Sequence, residues 1–137
     1  VFLEKNGKVK IEISLTGAEP GPIAVHLHRV GDCSAEDATT SGGHWNPTQE
    51  NHGKWGEPPF HSGDIGNIKI DESGDGRLTL VDEYNRWSIG GSPETNLIGR
   101  AVVVHEGKDN MISQPSGAAG KRTGCGPIIE ATIPVEK

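Results

Sequence analysis

Short runs of alternating apolar and polar residues recur along the chain, and such runs are typical of half-buried antiparallel strands. The clearest run covers residues 8–15, in which every second position is apolar. An apolar stretch at residues 1–4 precedes it, and the two are separated by Asn6-Gly7, a dipeptide that favours a tight hairpin turn. The pattern therefore predicts that the chain begins with a β-hairpin.

Further strands are predicted from the same pattern, and they lie at residues 24–29, 67–71, 77–81, 97–106 and 128–135. The second and third of these flank a turn-forming sequence rich in Gly, Asp and Ser, which predicts another hairpin. The apolar residues expected to face the core of that hairpin are Ile68, Ile70, Leu78 and Leu80. Residues 82–96 contain aromatic side chains without a regular period, and the pattern assigns them no element.

Two long segments, residues 30–65 and 107–124, show no periodicity at all. Long connections of this kind in a compact domain are usually functional. No stretch has the period of a long helix, and 20 glycines and 9 prolines in 137 residues favour strands and loops. The sequence therefore predicts an all-β domain with two long functional loops.

Composition and charge exclude several classes of protein. A length of 137 residues suits one domain, here residues 1–137. The formal net charge of −6 argues against nucleic-acid binding, which selects for basic surfaces. No apolar run is long enough to span a bilayer, and the chain as given starts without a basic or apolar leader, so we expect a soluble, processed protein.

Six histidines are the most distinctive chemical feature of the chain. His26 and His28 lie two apart on a predicted strand, so their side chains point to the same face. A His-x-His pair on a strand is more often a surface feature than a metal site. The remaining histidines favour a metal site because most lie in a loop with little core to pack against. With a nearby carboxylate they complete seven candidate ligands: His26, His28, His44, His52, His61, His105 and Asp64.

These residues occur within short sequence motifs that resemble those of the copper/zinc superoxide dismutases. The motifs are Val25-His26-Leu27-His28, Gly42-Gly43-His44-Trp45-Asn46-Pro47, Asn51-His52-Gly53, His61-Ser62-Gly63-Asp64, Val104-His105-Glu106 and Arg122-Thr123-Gly124-Cys125-Gly126. The resemblance covers nearly the whole chain. It implies a Greek-key β-sandwich or flattened barrel, immunoglobulin-like in architecture, in which two long loops carry the active site.

The resemblance also implies how the candidate ligands divide between two metals. Copper would be held by His26, His28, His44 and His105. Zinc would be held by His44, His52, His61 and Asp64. His44 would then be shared by both ions. The chemistry agrees, because imidazoles suit copper, and imidazoles with one carboxylate suit zinc.

The activity implied by the resemblance is the disproportionation of superoxide anion into dioxygen and hydrogen peroxide, with copper cycling between Cu(II) and Cu(I). Asp109 matches the family's aspartate that joins a copper ligand to a zinc ligand, here His26 and His52. Arg122 matches the arginine that guides the anion to copper, together with a basic surface from Lys108 and Lys121. Without the resemblance, Asp109 and Arg122 would be interpreted as solvated loop residues.

Two cysteines, Cys33 and Cys125, are compatible on their own with either a buried thiol pair or a disulfide. The resemblance implies the disulfide. Because Cys33 follows His28 closely, the chain is most similar to bacterial secreted members of the family. This similarity implies a periplasmic, cell-envelope or secreted location.

Two other functions are compatible with such a chain. A non-catalytic module that binds copper and zinc could use the same scaffold, although it would not require Arg122. An adhesion or interaction sandwich would not require six histidines. The sequence does not determine the oligomeric state, and a homodimer is compatible with it.

Overall fold

The computed structural model describes residues 1–130, and these form seven strands in two antiparallel sheets. The strands are β1 (Phe2–Lys5), β2 (Lys8–Leu15), β3 (Gly21–His28), β4 (Gly66–Ile70), β5 (Gly76–Val81), β6 (Ala101–His105) and β7 (Arg122–Pro127). The helical content of the described residues is one 3-10 turn, Thr39–Ser41. No helix in this part of the chain is long and apolar enough to cross a membrane. The predicted all-β sandwich is confirmed.

The first sheet has the strand order β1-β2-β5 and begins with the predicted hairpin. Asn6 and Gly7 both have positive φ angles, 54° and 76°, as the tight turn between β1 and β2 requires. Along β2, Val9 and Ile11 are completely buried while Lys8 and Lys10 are exposed. The alternation in the sequence thus corresponds to a core face and a solvent face.

The second sheet has the order β4-β3-β6-β7 and carries the histidine strand at its centre. β3 pairs with β4 and also with β6, which arrives much later in the chain, as in a Greek-key connection. Val25 and Leu27 point from β3 into the core between the sheets and are fully buried. The opposite face of β3 is therefore left for the histidines and is covered by the long loops.

The predicted hairpin between β4 and β5 is wrong, because the two strands belong to different sheets. A turn at residues 71–75 joins them, but β5 pairs with β2 and β4 pairs with β3. Ile68 and Ile70 are buried and Leu78 and Leu80 pack against the core, as expected. An alternating pattern specifies which face of a strand is buried, and it leaves the hydrogen-bonded neighbour undetermined.

The last strand of the described chain also differs from the prediction. β7 is Arg122–Pro127, whereas the sequence pattern placed a strand at residues 128–135. Residues 128–130 follow β7 outside any strand, and residues 131–135 lie outside the described part. The pattern missed β7 because its glycines and terminal proline have low strand propensity. Pairing with β6 supplies the stabilisation that the local sequence lacks.

Residues 82–96, which the pattern left unassigned, hold the loop between β3 and β4 in place. Buried Asp82 accepts the backbone N–H of Trp87 at 2.8 Å, and the indole of Trp87 donates to the carbonyl of Ser62 at 2.7 Å. Arg86 makes two hydrogen bonds to Glu50, at 2.7 and 3.2 Å. The segment thereby anchors the second half of that loop to the sandwich.

Candidate metal centre

Two long connections cover the outer face of β3: residues 29–65, here called the first loop, and residues 106–121, the second loop. His26 and His28 project from β3 towards them and are 0% and 1% exposed. A buried imidazole must find hydrogen-bond or metal partners, because an unsatisfied polar group is costly away from water. The partners of these two rings therefore define the site.

Backbone hydrogen bonds attach the first loop to the end of β3. The N–H of Trp45 donates to the carbonyl of Leu27 at 2.9 Å, and the N–H of Arg29 donates to the carbonyl of Gly43 at 2.9 Å. His28 and His44 consequently face each other as in an antiparallel bridge. A residue 16 positions later in the chain is thus fixed beside the histidine strand.

A β-bulge at the end of β6 brings His105 to the same place. The pairing between β6 and β7 is regular up to Val104, opposite Gly124, and then shifts so that His105 lies opposite Arg122. Bulges re-aim side chains in this way, at the cost of local ladder regularity. One candidate metal ligand and the candidate anion-guiding residue therefore lie on neighbouring strands, directly across from each other.

Hydrogen bonds fix which nitrogen of each ring carries the proton. His26 donates through Nε2 to Asp109 at 2.8 Å, His28 donates through Nδ1 to the carbonyl of Gly42 at 2.7 Å, and His105 donates through Nδ1 to the carbonyl of Gly120 at 3.1 Å. In a neutral imidazole the other nitrogen then has a free lone pair. Each ring therefore presents one unprotonated nitrogen to the interior.

The unprotonated nitrogens of these three rings lie close together, and a nitrogen of His44 joins them. The four nitrogens concerned are His26 Nδ1, His28 Nε2, His44 Nε2 and His105 Nε2, each buried and without a hydrogen-bond partner among the described residues. These four histidines offer ring nitrogens that lie within 4.8 Å of one another. Four buried lone pairs facing each other are unfavourable without a shared partner. The arrangement fits a metal ion that prefers imidazole ligands.

A second donor group is centred on Asp64, which is 1% exposed. Its Oδ1 lies 2.9 Å from His52 Nδ1, 3.0 Å from His44 Nδ1 and 3.1 Å from His61 Nδ1. Its Oδ2 accepts the backbone N–H groups of Gly53 and His61, at 3.0 and 2.7 Å. Ligands at about 2.0 Å from a tetrahedral zinc ion lie about 3.3 Å apart, so these spacings fit zinc after a small expansion.

Asp109 connects the two groups. Its Oδ2 accepts from His26 Nε2 at 2.8 Å and its Oδ1 accepts from His52 Nε2 at 2.7 Å. Asn67 holds the backbone of Asp109 through two hydrogen bonds, at 2.7 and 3.0 Å. A carboxylate behind a ligating imidazole fixes its tautomer and orientation. Asp109 does this for one histidine of each donor group.

The histidines of the two groups differ in their protonation state. Burial lowers the pKa of His26 to about 4 and that of His28 to about 3, so both rings are neutral at neutral pH. Burial also acts against a charged His52, but hydrogen bonds with Asp109 and Asp64 outweigh it and raise the pKa of His52 to about 9. The first group therefore presents neutral donors, whereas His52 beside Asp64 favours the charged form.

The two carboxylates remain ionised in this setting. Burial alone would raise the pKa of Asp64, but its hydrogen bonds with His44, His52 and His61 hold the pKa well below the usual value. Burial would likewise raise the pKa of Asp109, and the hydrogen bonds from His26 and His52 lower it instead. Buried negative charge of this kind suits a cation.

A cavity of about 390 Å³ leads to the imidazole group, and its lining includes His28, His44, His105, Pro115, Ser116 and Arg122. The guanidinium of Arg122 donates to the carbonyl of Ala38 at 2.9 Å and to Ser41 Oγ at 3.2 Å. Lys108 and Lys121 are exposed and do not line this cavity. Arg122 is therefore the basic side chain that contacts the entrance.

The disulfide implied by the family resemblance is confirmed, joining Cys33 to Cys125 across 92 residues. It attaches the start of the first loop to β7, three residues after Arg122. The stretch between Cys33 and His44 contains both groups that Arg122 contacts, Ala38 and Ser41. The bridge therefore helps to position the rim of the cavity.

All the predicted site residues converge on this region. The residues that sequence reasoning missed support the ligands from outside: Asn67, Arg86, Gln114 and Gly117. Arg86, Gln114 and Gly117 lie in no periodic pattern, and Asn67 begins a predicted strand whose pattern indicates no role at the site. Gly117 has a φ of +73°, and a Cβ there would lie 1.9 Å from Asp109 Oδ1, so only glycine fits against the carboxylate. Such constraints become visible only when the two loops are brought together.

Comparison with known proteins identifies the class. The family model described as copper/zinc superoxide dismutase matches residues 1–128. Superoxide dismutase [Cu-Zn] 2 of Aquifex aeolicus (strain VF5) is 34% identical over 132 residues, which is 93% of this chain and 75% of that protein. Superoxide dismutase [Cu-Zn] 1 of the same organism is 32% identical over 131 residues, covering 93% and 76%. The chain belongs to the copper/zinc superoxide dismutase family.

Solved structures agree with this assignment. A double mutant of a SOD-like protein from Bacillus subtilis superposes with a TM-score of 0.78 at 29% identity, covering 89% of this chain and 81% of that one. The clock protein EA4 superposes with a TM-score of 0.82 at 37% identity, covering 92% and 82%. The family implies copper and zinc as cofactors. Two overlapping clusters of the described residues lie close enough to hold metal ions: His26, His28, His44 and His105, and His26, His44, His52 and Asp64.

Proposed function

We propose that the protein is an active superoxide dismutase that converts two superoxide anions and two protons into dioxygen and hydrogen peroxide. The observation that carries the proposal is the placement of His44. Its Nε2 joins the imidazole group and its Nδ1 joins the group around Asp64. Among the described residues His26 also lies in both histidine clusters, but its Nε2 is hydrogen-bonded to Asp109, so His44 is the histidine best placed to bridge two metal ions.

We assign copper to His26, His28, His44 and His105, and zinc to His44, His52, His61 and Asp64. Softer nitrogen donors suit copper, and a set of imidazoles with one carboxylate suits zinc. Copper, when bound, supplies the one-electron chemistry by cycling between Cu(II) and Cu(I). Neutral His26 and His28 can bind a metal ion without losing a proton, whereas His52, whose pKa is raised to about 9, must release a proton when zinc binds.

The remaining residues act on substrate and protons. Arg122 at the cavity wall attracts superoxide despite the net charge of −6, because a local positive charge in a cleft dominates the field there. Asp109 holds the rings of His26 and His52 in one tautomer. His44 lines the cavity, and its Nε2, which has no hydrogen-bond partner among the described residues, is the atom at which this chain can hold a proton for the product.

A non-catalytic copper- and zinc-binding module is the second candidate. It is favoured by one comparison, because the clock protein EA4 is 37% identical and its name denotes no enzyme. Superoxide decay after pulse radiolysis separates the two. Protein loaded with both metals should accelerate decay strongly, and His28→Ala, which removes one imidazole from the copper group, should abolish most of the acceleration. Decay at the spontaneous rate with both metals bound would support the binding module.

We further propose that residues 1–137 act as one domain and that the protein is extracytoplasmic, since disulfides persist in oxidising compartments. Bacterial members of the family among the relatives support this location. A homodimer stays a prediction, which analytical ultracentrifugation can test.

A further inference from the structure

Gln114, in the second loop, binds the backbone of His52 in the first loop through both ends of its side-chain amide. Gln114 Oε1 accepts the N–H of His52 at 2.7 Å, and Gln114 Nε2 donates to the carbonyl of His52 at 2.8 Å. A side-chain amide has one acceptor and one donor group in a fixed geometry, so it can satisfy both backbone groups of one residue. His52 has no neighbouring strand to do this, since it lies in the first loop.

Together with Asp109, this pair of bonds gives His52 three attachments to the second loop. Asp109 holds the ring through Nε2, and Gln114 holds the backbone 62 residues away in sequence. Asp109 alone would fix the hydrogen-bonded edge of the ring and leave the main chain free to move. The two hydrogen bonds to the backbone of His52 remove that freedom. A metal site needs this restraint, because its ligands must be held to within about 0.5 Å.

His26 provides the contrast within the same site. Its ring is held by Asp109 in the same way, but its backbone is part of β3 and pairs with Val103 of β6. The strand pairing of β3 thus holds the backbone of His26, as the hydrogen bonds of Gln114 hold the backbone of His52. The two histidines that share Asp109 therefore reach equal burial, 0% and 3% exposed, by different means.

We propose that Gln114 is a positioning residue for zinc, acting through the backbone of His52. The inference rests on the proposed zinc site and concerns zinc retention alone, whatever the protein does with superoxide. The two residues that follow Gln114, Pro115 and Ser116, line the cavity at Arg122. Gln114 thereby joins the zinc group to the cavity wall.

The test is zinc affinity measured on the full chain by competition with a chromogenic chelator. Gln114→Ala should weaken zinc binding about 10-fold, in the range typical of partners that orient a metal ligand. Cobalt(II) bound in place of zinc should show an altered visible spectrum, because its bands report ligand geometry. Gln114→Glu keeps the acceptor for the His52 N–H and loses the donor, so its loss of affinity should be smaller. Gln114→Glu also tests the proposal if Gln114→Ala does not fold.

Asn110→Ala is the matched control. Asn110 caps the turn of the same loop by accepting the N–H groups of Ile112 and Ser113 at 2.9 and 2.8 Å, without contacting His52. Equal zinc loss in Asn110→Ala and Gln114→Ala would overturn the proposal, because loop stability alone would explain both. Zinc affinity within twofold of the parent in both Gln114 variants would also overturn it. Failure of dismutation in the parent would leave this result unaffected and would contradict only the proposed function.

Discussion

His44 Nδ1 lies 3.0 Å from Asp64 Oδ1, while the Nε2 of the same ring belongs to a separate group of buried imidazoles. Hydrogen bonds to β3 fix the backbone of the first loop beside His44, and within the loop Asp64 accepts the N–H groups of Gly53 and His61. Because one rigid ring spans both groups, the geometry of each depends on the other.

Removal of the carboxylate of Asp109 should weaken zinc binding about 10- to 100-fold, because His52 loses the partner that fixes its ring. Copper binding should change less, since β3 already positions His26. Competition titrations of Asp109→Ala with each metal measure both effects. Asp71→Ala, at an exposed turn aspartate, should leave both affinities unchanged. An alanine variant that retains zinc as tightly as the parent would show that the bridge has no role.

Reversal of the charge at Arg122 should slow dismutation at low ionic strength by on the order of 10-fold, because the anion is no longer attracted to the cavity. The rate of Arg122→Glu should also lose the parent's decrease with added salt, since screening acts on the steering charge. Lys69→Glu makes the same charge change on an exposed residue of β4 that does not line this cavity. If both variants behave alike across ionic strength, Arg122 does not steer.

Gly117→Ala should disrupt the bridge made by Asp109, because the added Cβ would lie 1.9 Å from Asp109 Oδ1 and 2.6 Å from His52 Nε2. We expect zinc affinity to fall at least as far as in Asp109→Ala. Gly90→Ala is the control, with a φ of +81° but nothing within 4 Å of the new Cβ. Both variants carry the same backbone strain of about 1–2 kcal/mol, so zinc loss in Gly117→Ala alone isolates the clash. Equal zinc affinity in the two variants would contradict the prediction.

The ion pair of Glu50 with Arg86 should make stability depend on pH below neutrality. Hydrogen bonding from Arg86 holds the pKa of Glu50 below its ordinary value of 4.5. A lowered carboxyl pKa stabilises the fold above the unfolded value, and this stabilisation is lost as pH falls through the folded value. Glu50→Gln should therefore reduce the free energy of unfolding by on the order of 1 kcal/mol at pH 7.

Urea denaturation of Glu50→Gln and its parent between pH 7 and pH 3.5 tests this dependence. The difference should be constant above about pH 5 and shrink below pH 4.5. Glu83→Gln breaks an ion pair with Lys8 whose side chains are both more than half exposed, so it should change little at any pH. A Glu50→Gln difference that does not vary with pH would rule out the ion pair as its source.

The sequence predicted those parts of the fold whose causes are local. The alternation in β2 gave its buried face, and Asn6-Gly7 gave the first turn. The His-x-His spacing on β3 gave two imidazoles on one face. The strands with which β4 and β5 pair, β3 and β2, could not be predicted, because strand partners depend on contacts far apart in the chain. β7 was missed because its partner β6, rather than its own composition, stabilises it.

The candidate site shows the same division. Histidines and Asp64 are recognisable by residue type and by resemblance to a family. The groups that hold them are not, because Gln114, Gly117 and Arg86 act through a few long-range contacts that leave no pattern in the sequence. Residues 82–96 are the extreme case, since their role in anchoring the first loop depends on one indole and one ion pair.

We propose that His44 bridges two different metal ions. Anomalous diffraction from crystals of the metal-loaded protein, recorded at the copper and zinc absorption edges, tests it most directly. We predict a copper peak beside His44 Nε2, shared with His26, His28 and His105, and a zinc peak beside His44 Nδ1 and Asp64. A single peak, or copper bound only at the Asp64 group, would contradict the account.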